Sequence, residues 1–226
     1  MQKILAFLRA LHAHNDREWF DDHRAEWKCV QTRFHEFTEG LIDAIASFNP
    51  SVHGLQVRDC TYRIHRDTRF SRDKSPFKTH MGAFIAPQGK KSGHAGYYFH
   101  IEPAGDGLLQ GSGLSAGLYA PHPVVLRSVR EEILDNGAEV AAAIAEATGF
   151  AINESNKLRR TPVGFPRGTM YDELLKLKDV FIERRITDEF LLSDRLIERT
   201  AEEFRRTKHF IDLLNRAVDY AREEMM

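Results

Sequence analysis

A single stripe of large apolar residues constrains the fold of this chain more than any other sequence feature. The stripe steps by three and four residues from Trp27 to Phe48, which is the spacing of one buried helix face. Asn49-Pro50 follows it, and the helix is expected to end there because proline lacks a backbone donor and disfavours helical geometry in the residue before it. The first fifty residues are therefore predicted to be helical.

The hydrophobic pattern changes after residue 58, where short aromatic and β-branched segments are separated by Gly, Pro and Ser. Antiparallel strands are predicted over residues 61–66, 81–86, 97–102 and 108–113, and a further strand over 180–186. In the third segment, Tyr98, His100 and Glu102 alternate with apolar residues, so they share one face of the strand. Together with Arg63 and His65, which alternate in the first segment, they predict a polar sheet face.

The rest of the chain returns to helical spacing. A helix is predicted to open at Pro121, a short alanine-rich helix to follow it up to Gly149, and a long amphipathic helix to run over residues 197–221. The predicted fold class is α+β, in one domain over residues 1–226 with a mainly antiparallel sheet packed against N-terminal and C-terminal helices. Its predicted parts are 1–50 (helical), 58–118 (β-rich with a basic loop), 121–149 (helical), 150–187 (loops and a strand) and 188–226 (helical).

Composition limits where the protein acts and what it binds. The chain has 226 residues, 32 Lys or Arg and 33 Asp or Glu, which argues against whole-surface attraction to nucleic acid or anionic membrane. No stretch of 18 uninterrupted apolar residues occurs, so no membrane span is predicted. Cys29 and Cys60 lie outside any C-x-x-C spacing and are interpreted as reduced thiols of a cytoplasmic protein. The oligomeric state is left open.

Charge is nevertheless concentrated in one stretch. Residues 58–91 hold nine Lys or Arg and three Asp, a local net charge of +6 in a chain of net −1. Arginine forks bind carboxylates or phosphates, and lysine and hydroxyl groups complete such a shell. A pocket for a small anionic ligand, of which a phosphate-bearing molecule is one example, is therefore predicted, or else Asp67 and Asp73 pair with these cations to hold a loop. The predicted ligand-binding residues are Arg63, Arg66, Arg69, Ser71, Lys74 and Lys78.

Several motifs occur in a fixed order along the chain. They include Asn15-Asp16-Arg17-Glu18-Trp19-Phe20, Arg66-Asp67-x-Arg69-Phe70-Ser71-x-Asp73-Lys74-x-Pro76-Phe77-Lys78 and Gly96-Tyr97-Tyr98-x-His100-x-Glu102. With these motifs the chain resembles domain-of-unknown-function family 2461, conserved hypothetical proteins found mainly in bacteria. The resemblance extends over nearly the whole chain and implies a single α+β domain, but it brings no established activity. One departure is Phe77, where a tyrosine is common in the family, and another is the segment 167–170, where an Asp-His-Pro-like sequence is often seen.

Whether the chain is an enzyme is left open by its sequence. His100 with Glu102 on one strand face is a candidate acid–base pair. His65 and Asp67, together with the distant His122, have the composition of a 2-His-1-carboxylate iron site and define a metal-dependent oxygenase as an alternative. No cofactor or metal is predicted, because these spacings are not those of a strong metal motif. A second alternative is a nucleic-acid or protein interaction module that uses the basic stretch as a surface.

Overall fold

The N-terminal part of the molecule is helical, as its apolar spacing predicts. The computed structural model describes residues 1–105 and 111–225. Asp16 caps the second helix by accepting a hydrogen bond of 2.8 Å from the backbone N–H of Trp19. The third helix stops before Asn49-Pro50. The elements are α1 (Gln2–Ala13), α2 (Arg17–Asp22), α3 (Arg24–Ala46), a 3-10 turn (Pro50–Val52) and α4 (Val57–Cys60).

Five strands within the described residues form one antiparallel sheet, in the order β1-β2-β3-β5-β4. The register places His100 of the second strand between Gly82 and Gly113, and Tyr98 between Phe84 and Ser115. Tyr98 and His100 therefore project from one face of the sheet. The strands are β1 (Met81–Ile85), β2 (Gly96–Ile101), β3 (Gly113–Leu118), β4 (Ala151–Ile152) and β5 (Val180–Arg185).

The C-terminal prediction of one long helix is wrong in one respect, because two helices share that stretch. Thr207 separates them, is fully buried, and donates its hydroxyl to the carbonyl of Phe204 over 2.8 Å. The apolar steps of three and four continue across this break, so spacing alone did not indicate it. The helices are α5 (Pro123–Asp135), α6 (Gly137–Glu146), α7 (Asp172–Leu175), α8 (Asp188–Leu191), α9 (Leu196–Arg205) and α10 (Lys208–Glu223).

The core lies between the helices and one face of the sheet. Tyr97 and Phe99 of β2 are fully buried on this face, and Phe37 of α3 packs against Phe99 with ring centroids 4.6 Å apart. Phe34 is buried beside both rings of that contact. Trp27, which begins the apolar stripe, is half-buried at the edge of the core. The predicted α+β class, with an antiparallel sheet and helices at both ends of the chain, is confirmed.

Two predicted strands differ from the structure. Residues 61–66 form isolated bridges, Thr61 with Ala83 and His65 with Phe77, instead of a strand. The reason is that the chain turns back on itself, so residues 64–66 pair locally with residues 76–78. Of the strand predicted over 108–113, residues 108–110 lie outside the described residues, and β3 begins at Gly113.

No helix in the described parts of the chain combines the length and the apolar character needed to cross a membrane.

Candidate ligand-binding site

The basic segment, defined here as residues 61–80, forms a closed loop beside the first strand. The backbone N–H of Arg66 donates to the carbonyl of Pro76 over 2.9 Å, and that of Lys78 donates to the carbonyl of Ile64 over 2.8 Å. These bonds join the two ends of the loop. Six Lys or Arg and two Asp occupy the segment, a net charge of +4.

Both aspartates of the loop pair with arginines inside it. Asp67 accepts two hydrogen bonds from the guanidinium of Arg69, at 3.0 and 2.6 Å, and all these groups are exposed. Asp73 accepts from Ser75 and forms an ion pair with Arg66. Hydrogen bonds from Ser75, and then from Arg66, hold the pKa of Asp73 well below its usual range. The pairing interpretation therefore accounts for Arg69 and for part of the charge of Arg66.

Two further predicted ligand residues also have partners within the loop. Lys74 donates from Nζ to the carbonyl of Thr68 over 2.9 Å. The hydroxyl of Ser71 accepts from Arg66 at the long distance of 3.5 Å. Both contacts stabilise the shape of the loop, so neither requires an external ligand.

An asparagine attaches the basic segment to the N-terminal helices. The Asn15 side chain donates to the carbonyl of Phe77 over 3.0 Å and accepts from its N–H over 3.1 Å. Phe77 is buried and stacks on Phe20 of α2 with centroids 4.0 Å apart. The position of the following residue, Lys78, is thereby fixed relative to the helices.

The sheet face opposite the core carries a buried polar chain. The Tyr98 hydroxyl lies 3.1 Å from Nδ1 of His100, and Nε2 of His100 lies 3.3 Å from Oε2 of Glu102. His100 is 1% exposed and Glu102 is 0% exposed. Burial of an ionisable group raises the free energy of the folded state unless the group is hydrogen-bonded, so the hydrogen bonds among these three side chains stabilise the fold.

A glycine makes room for the outer end of this chain. A Cβ atom at Gly82 would lie 2.7 Å from Cε2 and 2.8 Å from Cζ of Tyr98. Because such distances are shorter than real carbon contacts, any larger residue at position 82 would displace the Tyr98 ring. The close passage of Tyr98 over Gly82 thus sets the position of its hydroxyl.

His80 joins the basic segment to the polar chain. Its Nδ1 lies 3.9 Å from Oε1 of Glu102, and its ring centroid lies 4.9 Å from that of His100. Burial lowers the pKa of His80 to about 4, and His100, Lys78 and Arg66 act in the same direction, against Glu102. His80 is therefore a neutral imidazole at physiological pH, in surroundings that disfavour further positive charge.

Lys78 is a second residue of the basic segment whose charge acts on His80. Its Nζ lies 5.5 Å from the centre of the Tyr62 ring, and its side chain is half-buried. Burial lowers the pKa of Lys78, and the charge of Arg63 lowers it further. Of the six predicted ligand residues, Arg63, Arg66 and Lys78 therefore lie near the polar chain or act on its neighbours.

The residues of the alternative iron site have separate surroundings. His65 packs against Phe77, at 5.1 Å between centroids, and Asp67 pairs with Arg69. His122 caps α5 by accepting from the N–H of Val124 at 3.4 Å. In the part of the chain that the structure describes, no group of three or more His, Cys, Asp or Glu side chains could hold a metal ion. The oxygenase alternative gains no support from this arrangement.

The sequence prediction missed two members of the site. Tyr98 shares the alternation of His100 and Glu102, so the strand pattern already placed it on their face, but only the structure reveals its hydrogen bond. His80 precedes β1, and its approach to Glu102 follows from the register of Met81 with Ile101. That register depends on contacts distant in sequence, and no local pattern could have indicated it.

Two open cavities on the surface lie elsewhere. One, of about 400 Å³, lies along α9, between side chains that include Arg195 and Glu202. The other, of about 420 Å³, is lined by Ser112, Arg185 and Thr187 among others. Neither of these two cavities is lined by the basic segment or by His80.

Comparison with known families agrees with the motifs in the basic segment. The family described as "Conserved hypothetical protein (DUF2461)" matches residues 3–213. The chain belongs to this family. The matched range includes Asn15, the basic segment and the residues from Tyr98 to Glu102, and it ends within α10. No curated protein matches the chain, and no solved structure matches it.

Proposed function

We propose that this family member binds a small anionic ligand, bearing a phosphate or carboxylate group, where the basic segment meets the polar face of the sheet. One observation carries the proposal: the basic segment ends at a half-buried imidazole, His80, on which the positive charges of Lys78 and Arg66 act. An anion at this place would reduce the repulsion between the cations and would accept a hydrogen bond from the imidazole.

The charge balance of the basic segment supports the same proposal. Asp67 and Asp73 offset two of its six cations, and Glu102 lies below His80. The pKa of Lys78 is lowered by burial and, to a smaller extent, by the positive charge of Arg63. Concentrated like charge raises the free energy of the folded state unless a negative group compensates it. The proposed ligand residues are thus Arg63, Arg66, Lys78 and His80, a smaller set than the sequence predicted.

The test is thermal unfolding with sodium phosphate, compared with sodium chloride of equal ionic strength. Phosphate at about 100 times its dissociation constant should stabilise the fold by roughly 2.7 kcal/mol. The gain should disappear in Lys78→Met, which removes the charge and keeps an unbranched apolar side chain, and persist in Lys91→Met, a control at an exposed lysine after β1. Equal stabilisation by both salts, or an undiminished phosphate effect in Lys78→Met, would refute the proposal.

An exposed aromatic ring favours a second candidate function, which is interaction with single-stranded nucleic acid. Phe70 is 97% exposed at the tip of the basic segment, and the guanidinium of Arg69 lies 5.9 Å from its ring. Exposed aromatic rings beside arginine can stack on bases. Fluorescence anisotropy with a labelled oligothymidine should then show salt-dependent binding that Phe70→Ala weakens. Binding that does not change in Phe70→Ala would exclude this role for the ring.

A further inference from the structure

The hydrogen-bond chain on β2 has one consistent direction. A glutamate carboxylate only accepts hydrogen bonds, so Nε2 of His100 is the nitrogen that donates to Glu102. In a neutral imidazole the other nitrogen, Nδ1, is then an acceptor, and the Tyr98 hydroxyl donates to it. The chain is thus arranged to move a proton from the Tyr98 hydroxyl toward the interior.

Solvent exposure of the three hydrogen-bonded side chains increases from Glu102 and His100 to Tyr98. Glu102 and His100 are shielded from solvent, whereas the Tyr98 side chain is partly exposed. A hydroxyl, an imidazole that accepts its hydrogen bond and a buried carboxylate that orients the imidazole form the general arrangement of an activated nucleophile. Burial raises the pKa of the Tyr98 phenol, so the hydroxyl keeps its proton until a base removes it.

We propose that Tyr98 is a nucleophile that accepts a phosphoryl group from a phosphomonoester, with His100 as its base and Glu102 as a positioning residue. The substrate class depends on the anion site proposed above, because the cations around His80 would bind the phosphate oxygens beside the Tyr98 hydroxyl. Cationic side chains that neutralise charge on a transferring phosphoryl group are a main source of catalysis in such reactions.

The reaction has two steps. In the first, the Tyr98 oxygen bonds to phosphorus while the bond from phosphorus to the leaving oxygen breaks. His100 takes the proton of the Tyr98 hydroxyl. The leaving oxygen keeps the bonding electrons and takes a proton from solvent. Water then attacks the phosphotyrosine, the Tyr98 oxygen leaves with the electron pair and recovers its proton from His100, and the attacking water loses a proton to solvent. The sum is hydrolysis of one ester bond, with no further reactant.

The test uses the full chain and 4-nitrophenyl phosphate, with two readouts. Release of 4-nitrophenolate measures turnover, and acid quenching followed by peptide mass spectrometry detects a phosphoryl group on Tyr98. Tyr98→Phe should abolish both signals, and His100→Gln should lower turnover about 10²- to 10⁴-fold. Tyr119→Phe is the matched control, since Tyr119 is an exposed tyrosine after β3, and it should behave as wild type.

Glu102→Gln tests the positioning role separately from folding. The variant should remain folded, as judged by circular dichroism, while its turnover falls and the pH dependence of kcat changes, because the imidazole loses its charged partner. An unchanged pH profile would overturn the role of Glu102. Turnover retained in Tyr98→Phe would overturn the nucleophile.

The outcomes distinguish this inference from the proposed function. Specific phosphate binding without nitrophenolate release or phosphotyrosine would overturn the catalytic proposal and leave the anion site standing. Turnover that depends on Tyr98, with no phosphate-specific stabilisation and no effect of Lys78→Met, would overturn the anion site and support the nucleophile.

Discussion

Replacing His80 should change how the stability of the protein depends on pH. In the folded state the imidazole has a pKa of about 4, against an ordinary value of 6.5 in the unfolded chain. Between these two values the unfolded state binds more protons, so the free energy of unfolding falls as the solution is acidified. His80→Gln removes the titrating group and should flatten this part of the curve.

The size of the effect follows from the same two values. One pKa unit corresponds to about 1.4 kcal/mol. As the pH is lowered from 6.5 to about 4, the free energy of unfolding should therefore fall by about 3 kcal/mol because of His80 alone. The His80 side chain is 18% exposed, which limits screening by solvent. The groups that face it are His100, Glu102, Lys78 and Arg66.

The assay is urea unfolding of wild type and variant at intervals from about pH 7 to about pH 4, in chloride without phosphate. The quantity of interest is the difference between the two curves, which cancels the opposite contribution of His209, whose pKa is raised by Glu146 and Glu139. His12→Gln, at an exposed histidine of α1, is the matched control and should follow wild type. If wild type and His80→Gln lose stability in parallel, the imidazole is not held neutral and the account of the site fails.

Three substitutions test the scaffold around the site. Phe34→Ala, at a ring with 1% exposure, should cost about 3–5 kcal/mol in urea unfolding; an unchanged midpoint would place the ring outside the core. Gly117→Ala should lower the thermal midpoint, since Gly117 has a φ of +140° and a Cβ there would contact the carbonyl of Val180; a midpoint equal to wild type would refute that crowding. Asn15→Ala should increase hydrogen exchange at the Phe77 amide, whereas unaltered exchange would show that the asparagine does not hold the segment.

The helical core and the polar strand face could be predicted because both depend on short sequence periods. Tyr98, His100 and Glu102 alternate with apolar residues, and a strand places such residues on one side whatever its neighbours are. The steps of three and four in α3 likewise predict a buried face independently of the partner that covers it. The break at Thr207 escaped prediction because it leaves the apolar period unchanged.

The partners of the basic segment could not be predicted, because they depend on how the loop closes. Several Arg and Lys residues lie at similar sequence separations from Asp67 and Asp73, so the sequence alone does not indicate which of them form ion pairs. The folded backbone decides that Arg69 pairs with the first and Arg66 with the second. The position of His80 depends on long-range strand register in the same way. A count of charges could therefore not indicate which cations of the basic segment pair within the loop.

The stacking of Phe77 on Phe20 gives the candidate site a built-in optical reporter. The chain has two tryptophans, and both lie within 6 Å of Phe7 in one aromatic cluster, Trp27 also being 5.9 Å from Phe20. Phe77 stacks on Phe20 and directly precedes Lys78, so two ring contacts connect the residue before this lysine to the indole of Trp27. Tryptophan fluorescence is therefore expected to respond to ligand binding at the basic segment, in the native sequence and without an added label.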